Sequence, residues 1–124
     1  YDLNLDDKYN IEGIHLSYSI FKSLNENIKA ELIKKYKRIG VSVHSLNEAK
    51  EVESLGASYV VAGHIFETDC KKGLEPRGLK FIKDLSSALS IPIFAIGGID
   101  EKNSLSVINS GAFGLCIMST LMKY

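Results

Sequence analysis

The sequence predicts an α/β fold built around a parallel sheet, and three observations support this prediction. Five short apolar runs rich in Val, Ile, Phe and Tyr recur along the chain. Each run is nearly continuous in hydrophobicity, which is typical of a strand covered on both faces. Each is followed by a more polar segment with helical spacing, as the crossover connections of parallel strands require.

The runs predict strands at residues 11–16, 39–43, 59–63, 93–96 and 113–118. Helices are predicted between them, where apolar side chains recur every three or four residues: Ile28, Leu32 and Ile33; Leu46, Ala49, Val52 and Leu55; Leu79, Ile82, Leu85 and Leu89; Leu105 and Ile108. Gly56 and Gly111 stand where two of these helices would end on a left-handed residue. Ser45, with Glu48 three residues later, predicts a capping box.

Composition narrows the class of protein. The 124 residues carry 15 basic and 15 acidic side chains, so no basic excess exists to bind nucleic acid. An apolar content of 45% is ordinary for a folded domain, and no apolar window is long enough to span a membrane. Two cysteines and the lack of a recognisable leader sequence suggest a protein of the reducing cytoplasm.

Candidate phosphate-binding residues follow the fourth and fifth predicted strands. Gly97 and Gly98 come directly after the fourth strand, and Met118 and Ser119 stand at the end of the fifth. Parallel α/β proteins place their sites at the carboxyl ends of strands, and (βα)8 barrels hold phosphate in their last two such loops. Glycine lets backbone N–H groups approach an anion closely. The alternative for the glycine pair is a tight turn that binds nothing.

His64 comes directly after the third predicted strand, where its imidazole could transfer a proton. A histidine hydrogen-bonded to nearby backbone is the alternative, and His15 and His44 also follow apolar strand residues, so position alone does not choose among the three. In the charged loop that follows, Thr68 and Lys71 are candidate contacts to a phosphate or carboxylate. We expect no metal site at Cys70, because no second cysteine lies at zinc spacing.

Four segments together resemble the thiamine phosphate synthase superfamily: residues 40–45 (GVSVHS), 63–73 (GHIFETDCKKG), 95–99 (AIGGI) and 117–119 (IMS). The resemblance to the family runs in the same order along the chain, from about residue 11 to the end. The 63–73 segment is most similar to TenI-type thiazole tautomerases, because synthases usually carry proline in place of His64 and Thr-x-Thr-Lys in place of residues 68–71.

The resemblance implies a (βα)8 TIM barrel that acts on a thiazole phosphate in thiamine biosynthesis, without a cofactor. A tautomerase converts a carboxylated, non-aromatic thiazole phosphate to its aromatic isomer by moving a proton from a ring carbon to an exocyclic carbon. The residues that the resemblance assigns are His64 as acid and base, with Gly97, Gly98, Met118, Ser119, Thr68, Lys71 and Ser42 binding the substrate or its phosphate.

Two alternatives remain open. A thiamine phosphate synthase would need Mg²⁺ to bind a pyrimidine diphosphate, and its family has an aspartate shortly after a Gly-x-His-Leu strand. Here residues 13–16 (GIHL) are followed by residues 17–21 (SYSIF), which contain no acid, and Asp6 and Asp7 do not align clearly. The second alternative is a regulator that binds thiazole phosphate without turnover.

The length does not fit a complete barrel, which needs roughly 200 residues or more. We therefore expect residues 1–124 to be the C-terminal part of such a barrel, about five βα units corresponding to strands 4–8, left by truncation or proteolysis and inactive alone. The family's Gln-x-Arg-x-Lys strand is missing. An open sheet exposes its edges and inner face, so we expect homo-oligomers formed through them.

Overall fold

The computed structural model describes residues 12–67 and 75–117, which form one parallel sheet with helices packed against it. The strands are Gly13–Ser17 (β1), Arg38–Val43 (β2), Tyr59–Ala62 (β3), Ile93–Ile96 (β4) and Gly114–Cys116 (β5). The helices are Tyr18–Ser23 (α1), Glu26–Lys35 (α2), Leu46–Ser54 (α3), Gly78–Ala88 (α4) and Ser104–Asn109 (α5). All five predicted strands are confirmed to within about two residues, apart from the predicted ends at Ile11 and Met118, which lie outside the described residues.

The strands lie in the sheet in the order in which they occur along the chain, and each neighbouring pair is parallel. Parallel crossovers are almost always right-handed, so sequential order places every connecting helix on the same face. A doubly wound sheet would instead reverse its order at a switch point. The topology is therefore that of part of a (βα)8 barrel, as predicted.

The core lies between the sheet and its helices. Side chains that alternate along the strands point to the helices and are fully buried, among them Val41, Val43, Val60, Ala62 and Ala95. They pack against the helix side chains that face the sheet: Phe21, Leu32, Val52, Ile82, Leu85 and Val107. The face of the sheet towards the helices is here called the outer face. Its side chains are apolar because the helices bury them from water.

Local signals place the helix ends. The Ser45 Oγ accepts a hydrogen bond from the Glu48 N–H at 3.1 Å, and a Glu48 carboxylate oxygen accepts one from the His44 N–H at 3.0 Å. The predicted capping box is thus present, with its return bond one residue earlier than usual. Gly56 and Gly111 have φ of 108° and 117°, so the predicted left-handed residues after α3 and α5 are confirmed.

The opposite face of the sheet, here called the inner face, is not covered by the described helices. Side chains alternate between the two faces along each strand, and the register aligns this alternation between neighbouring strands. It places His15, Ser42, Tyr59 and Phe94 on the inner face. In the part of the chain that the structure describes, none of the helices has the length and apolar character needed to cross a bilayer.

Candidate functional site

The segment after β3 runs along the carboxyl end of β4. The Ile65 N–H donates to the Ile96 carbonyl at 3.0 Å, and the Phe66 N–H donates to the Gly97 carbonyl at 3.1 Å. On its other side, the His64 carbonyl accepts a hydrogen bond from the Arg77 N–H at 2.8 Å. These backbone bonds hold the half-buried His64 at the carboxyl edge, where the sequence predicted it.

Gly97 and Gly98 are required by this packing. Both have left-handed backbone, with φ of 105° and 64°. A Cβ on Gly97 would overlap the His64 Cβ, and a Cβ on Gly98 would lie 2.6 Å from the Glu67 carbonyl oxygen. The glycine pair therefore brings the residue 63–67 segment and the end of β4 into contact, a role that the sequence analysis did not identify.

A turn, rather than the helix itself, follows the glycine pair. The Asp100 carboxylate accepts hydrogen bonds from the N–H groups of Lys102 and Asn103, at 2.8 Å and 3.1 Å. The Asn103 side chain donates to the Gly98 carbonyl at 2.9 Å, and α5 begins only at Ser104. The turn therefore fixes the orientation of the Gly98 carbonyl.

Ser42 lies on the inner face, one residue before the end of β2. Its Oγ is 2.7 Å from His15 Nε2, and His15 Nδ1 is 3.4 Å from the Tyr59 hydroxyl. The two rings are stacked with centroids 5.9 Å apart. Ser42 is therefore part of a polar cluster with His15 and Tyr59, and the sequence analysis missed the tyrosine.

Gly40 explains how this cluster forms. It is the register partner of both His15 on β1 and Tyr59 on β3. A Cβ on Gly40 would overlap the Tyr59 ring, so the missing side chain leaves the space in which the two flanking rings meet. A glycine inside a predicted strand was the sequence signal for such a close approach.

The three histidines, which the sequence did not separate, lie in three different environments. His15 is on the inner face, and partial burial lowers its pKa below 6.5, so its neutral form is favoured. His44 is exposed, with Nδ1 3.6 Å from a Glu48 carboxylate oxygen. His64 is at the carboxyl edge beside Gly97.

The remaining predicted binding residues, Thr68, Lys71, Met118 and Ser119, lie outside the described residues, as do Cys70, Asp6 and Asp7. Cys116 is half-buried at the end of β5, and this burial raises the pKa of its thiol. At neutral pH the thiol is mainly protonated and a weak nucleophile.

Mg²⁺ at a diphosphate site is usually held by one or two carboxylates together with waters and the substrate phosphates. Within 12–67 and 75–117, no three Asp, Glu, His or Cys side chains come together in a group that could hold a metal ion. The residue after the β1 motif is Ser17, whose hydroxyl accepts a hydrogen bond from the Ile20 N–H and caps α1. No step through a metal can be derived from this part of the chain.

The chain is similar to proteins that make thiamine phosphate. The family model described as thiamine monophosphate synthase matches residues 2–121. Thiamine-phosphate synthase of Clostridium acetobutylicum is 35% identical over 114 residues, which are 92% of this chain and 53% of that protein. Thiamine-phosphate synthase of Chlorobium phaeovibrioides is 39% identical over 114 residues, which are 91% of this chain and 53% of that protein.

A solved structure, thiamine phosphate pyrophosphorylase from Pyrococcus furiosus, superimposes with a TM-score of 0.79 at 29% identity. The match covers 99% of this chain and 57% of that one. The chain thus spans about half the length of the curated relatives it matches. Family model, relatives and structure agree, and the chain belongs to the thiamine monophosphate synthase family.

Proposed function

We propose that this chain supplies the thiazole-phosphate-binding part of a barrel enzyme of thiamine biosynthesis. The observation that carries the proposal is the joined carboxyl edge of β3 and β4, where His64 lies against the Gly97–Gly98 turn. The Gly98 N–H and its neighbours would bind the phosphate, since backbone donors at such an edge suit an anion. Ser42, on the adjacent strand β2, would contribute a hydroxyl from the inner face.

The first candidate reaction is thiamine phosphate synthesis. It is favoured because the relatives at 35% to 39% identity described above carry that name. The reaction joins a pyrimidine, carried as its diphosphate, to the thiazole nitrogen and releases pyrophosphate. In this reaction the present residues would bind and orient the thiazole phosphate, and proximity of the two substrates would supply much of the rate enhancement.

The second candidate reaction is thiazole tautomerisation, and His64 is the observation that favours it. The histidine lies at the carboxyl edge, within the 63–73 segment that resembles tautomerases and in place of the proline usual in synthases. A neutral imidazole would remove the proton from the ring carbon and return one to the exocyclic carbon. The thiazole becomes aromatic with no net change in protons, and a single acid–base group is enough.

One set of assays on the purified full-length protein separates the two reactions. Pyrophosphate release is measured with the pyrimidine diphosphate, thiazole phosphate and Mg²⁺, and aromatisation is followed by ultraviolet absorbance with the carboxylated tautomer. If the protein is a tautomerase, His64→Ala lowers kcat for aromatisation by about a hundredfold or more, the usual contribution of a general acid–base group. His44→Ala is the matched control, because His44 is exposed and faces Glu48 of α3.

The outcomes are distinct. Release of pyrophosphate without aromatisation identifies a synthase, and the reverse identifies a tautomerase. Tight calorimetric binding of thiazole phosphate with neither activity identifies a non-catalytic regulator. Failure to bind thiazole phosphate at all overturns the proposal.

A further inference from the structure

A chain of three polar groups crosses the inner face towards the carboxyl edge. It begins at the Tyr59 hydroxyl on β3, passes through the His15 ring on β1 and ends at the Ser42 hydroxyl on β2. Gly40 lies beneath it, since the rings of its two register partners meet over the side-chain-free position. The polar chain therefore depends on the space that Gly40 leaves in the sheet.

We propose that His15 is a positioning residue that fixes the Ser42 hydroxyl so that its proton points at an anionic oxygen of the substrate. The proposal rests on the proposed function for the identity of that substrate, and it assigns a role to His15 and Tyr59 that the family resemblance did not. His15 touches no reacting atom in this scheme and acts through Ser42.

The direction of the hydrogen bonds follows from what Ser42 has to do. A serine hydroxyl has one proton, and it can be donated to an anion only if histidine does not accept it. Therefore His15 Nε2–H donates to Ser42 Oγ at 2.7 Å, and His15 Nδ1 accepts from the Tyr59 hydroxyl, which is 3.4 Å away before substrate binds. Ser42 O–H then remains free for the ligand.

This arrangement requires a neutral His15, because a protonated ring has no nitrogen left to accept from Tyr59. The surroundings favour that form. The Tyr59 ring stacks against the imidazole, and partial burial lowers the His15 pKa. Among the described residues of the inner face, the other titratable groups are the Arg38 guanidinium on β2 and the Cys116 thiol on β5, so no carboxylate there favours protonation.

The first test is the protonation state of the His15 ring in ligand-free, ¹⁵N-labelled full-length protein at pH 7.5. Nitrogen–proton correlation spectra identify which ring nitrogen carries hydrogen, and His44 serves as an internal reference. We expect protonation at Nε2 and a shift towards the Nδ1–H tautomer in Tyr59→Phe, which keeps the ring but removes the donor. A wild-type ring protonated at Nδ1 overturns the proposal, whatever the activity of the protein.

The second test is a double-mutant cycle in steady-state kinetics with thiazole phosphate. His15→Leu, which keeps the bulk of the ring, should raise KM about fivefold, as expected for loss of one oriented hydrogen bond. In a Ser42→Ala background the same change should alter KM less than about twofold, because the group it positions is already gone. His15→Gln, whose amide can donate to Ser42, should recover part of the loss.

Equal effects of His15→Leu in the two backgrounds would show a purely structural role and overturn the proposal. Thermal melting of each variant identifies loss of folding, and Tyr59→Phe then replaces His15→Leu in the cycle. A wild-type protein that neither binds nor converts thiazole phosphate contradicts the proposed function instead, while the ring tautomer still decides the hydrogen-bond direction.

Discussion

At the scale of single residues, the environment decides what each histidine can do. His15, His44 and His64 have the same side chain and each follows an apolar run. The His15 ring nitrogens contact the Ser42 and Tyr59 hydroxyls, His44 faces a carboxylate, and His64 lies against a left-handed glycine. These differences concern charge and hydrogen bonding, so they can be measured one residue at a time.

The lowered pKa of His15 predicts a pH dependence of stability. The unfolded chain takes up this proton near pH 6.5, whereas the folded protein takes it up only at lower pH. The contribution of His15 to the free energy of unfolding should therefore be fully present above about pH 6.5 and should decrease as the pH falls below that value. Denaturant unfolding between pH 5 and pH 8 measures this change.

His15→Gln should remove that part of the pH dependence, and His44→Gln should leave it in place. The comparison between variants cancels the contributions of the other titratable groups, which the variants share. Identical slopes for the wild type and His15→Gln would show that the histidine has the same pKa in both states.

Glycine at position 98 can be tested for its steric role separately from its backbone conformation. Gly98→Ala should cost about 1–3 kcal/mol from the positive φ alone, and more because the new Cβ meets the Glu67 carbonyl. Gly78→Ala is the matched control, since Gly78 has φ of 77° but open space where a Cβ would stand. Equal losses in chemical denaturation would mean that the contact with the residue 63–67 segment contributes nothing.

At the scale of elements, short polar contacts set where helices begin and how they meet the sheet. The capping box at the start of α3 uses Ser45 and Glu48. Near the end of the same helix, the Glu53 carboxylate accepts hydrogen bonds from the N–H groups of Ser90 and Ile91, at 2.6 Å and 3.1 Å. Contacts at the two ends of α3 thus fix the residue that follows β2 and the residues that precede β4.

Ser45→Ala should lower the free energy of unfolding by about 1 kcal/mol, because an N–H of the first turn loses its partner. Ser54→Ala on the same helix is the control; its hydroxyl donates to the Glu51 carbonyl at the exposed C-terminal end. We expect a change below about 0.5 kcal/mol there. Equal midpoints and slopes for the two variants in urea would rule out a stabilising cap.

At the scale of the whole molecule, the described helices cover one face of the sheet and leave its inner face open. Tyr59 and Phe94 lie on the inner face and contact each other edge to face, and Phe94 contacts Phe113, which directly precedes β5, in the same way. Phe113 is 73% exposed, and β1 and β5 are the edges of the described sheet. Exposed aromatic area and open strand edges both favour association.

The 124-residue chain on its own should therefore self-associate, which light scattering over a range of concentrations will detect. Phe113→Lys should weaken the association, since it replaces an exposed aromatic ring beside Phe94 with a charge. Ile20→Lys is the control, because Ile20 is 52% exposed but lies on α1 in the helical layer. A monodisperse monomer at every concentration would contradict the prediction.

Much of the fold could be predicted because its signals are local. Apolar runs mark the strands, Ser45 and Glu48 mark a helix start, and Gly56 and Gly111 mark two helix ends. Helix α1 was missed because six residues are too few to show a periodic pattern, and its start depends on the single Ser17 hydroxyl.

The candidate site was predictable only in outline. His64 and the glycine pair were expected at strand ends, because the carboxyl edge is where parallel sheets place their sites. That Gly97 and Gly98 make room for the residue 63–67 segment did not follow from the sequence, since those contacts join residues more than thirty positions apart.

The order of apolar and polar residues was sufficient for the class of fold, the position of its strands and the edge at which His64 and the glycine pair lie, because these depend on periodicity and on rules common to all parallel sheets. The pairing of His15 with Ser42 and Tyr59 was decided only in three dimensions. It depends on the register that sets Gly40 between two rings, and register is a relation between strands that no single segment contains.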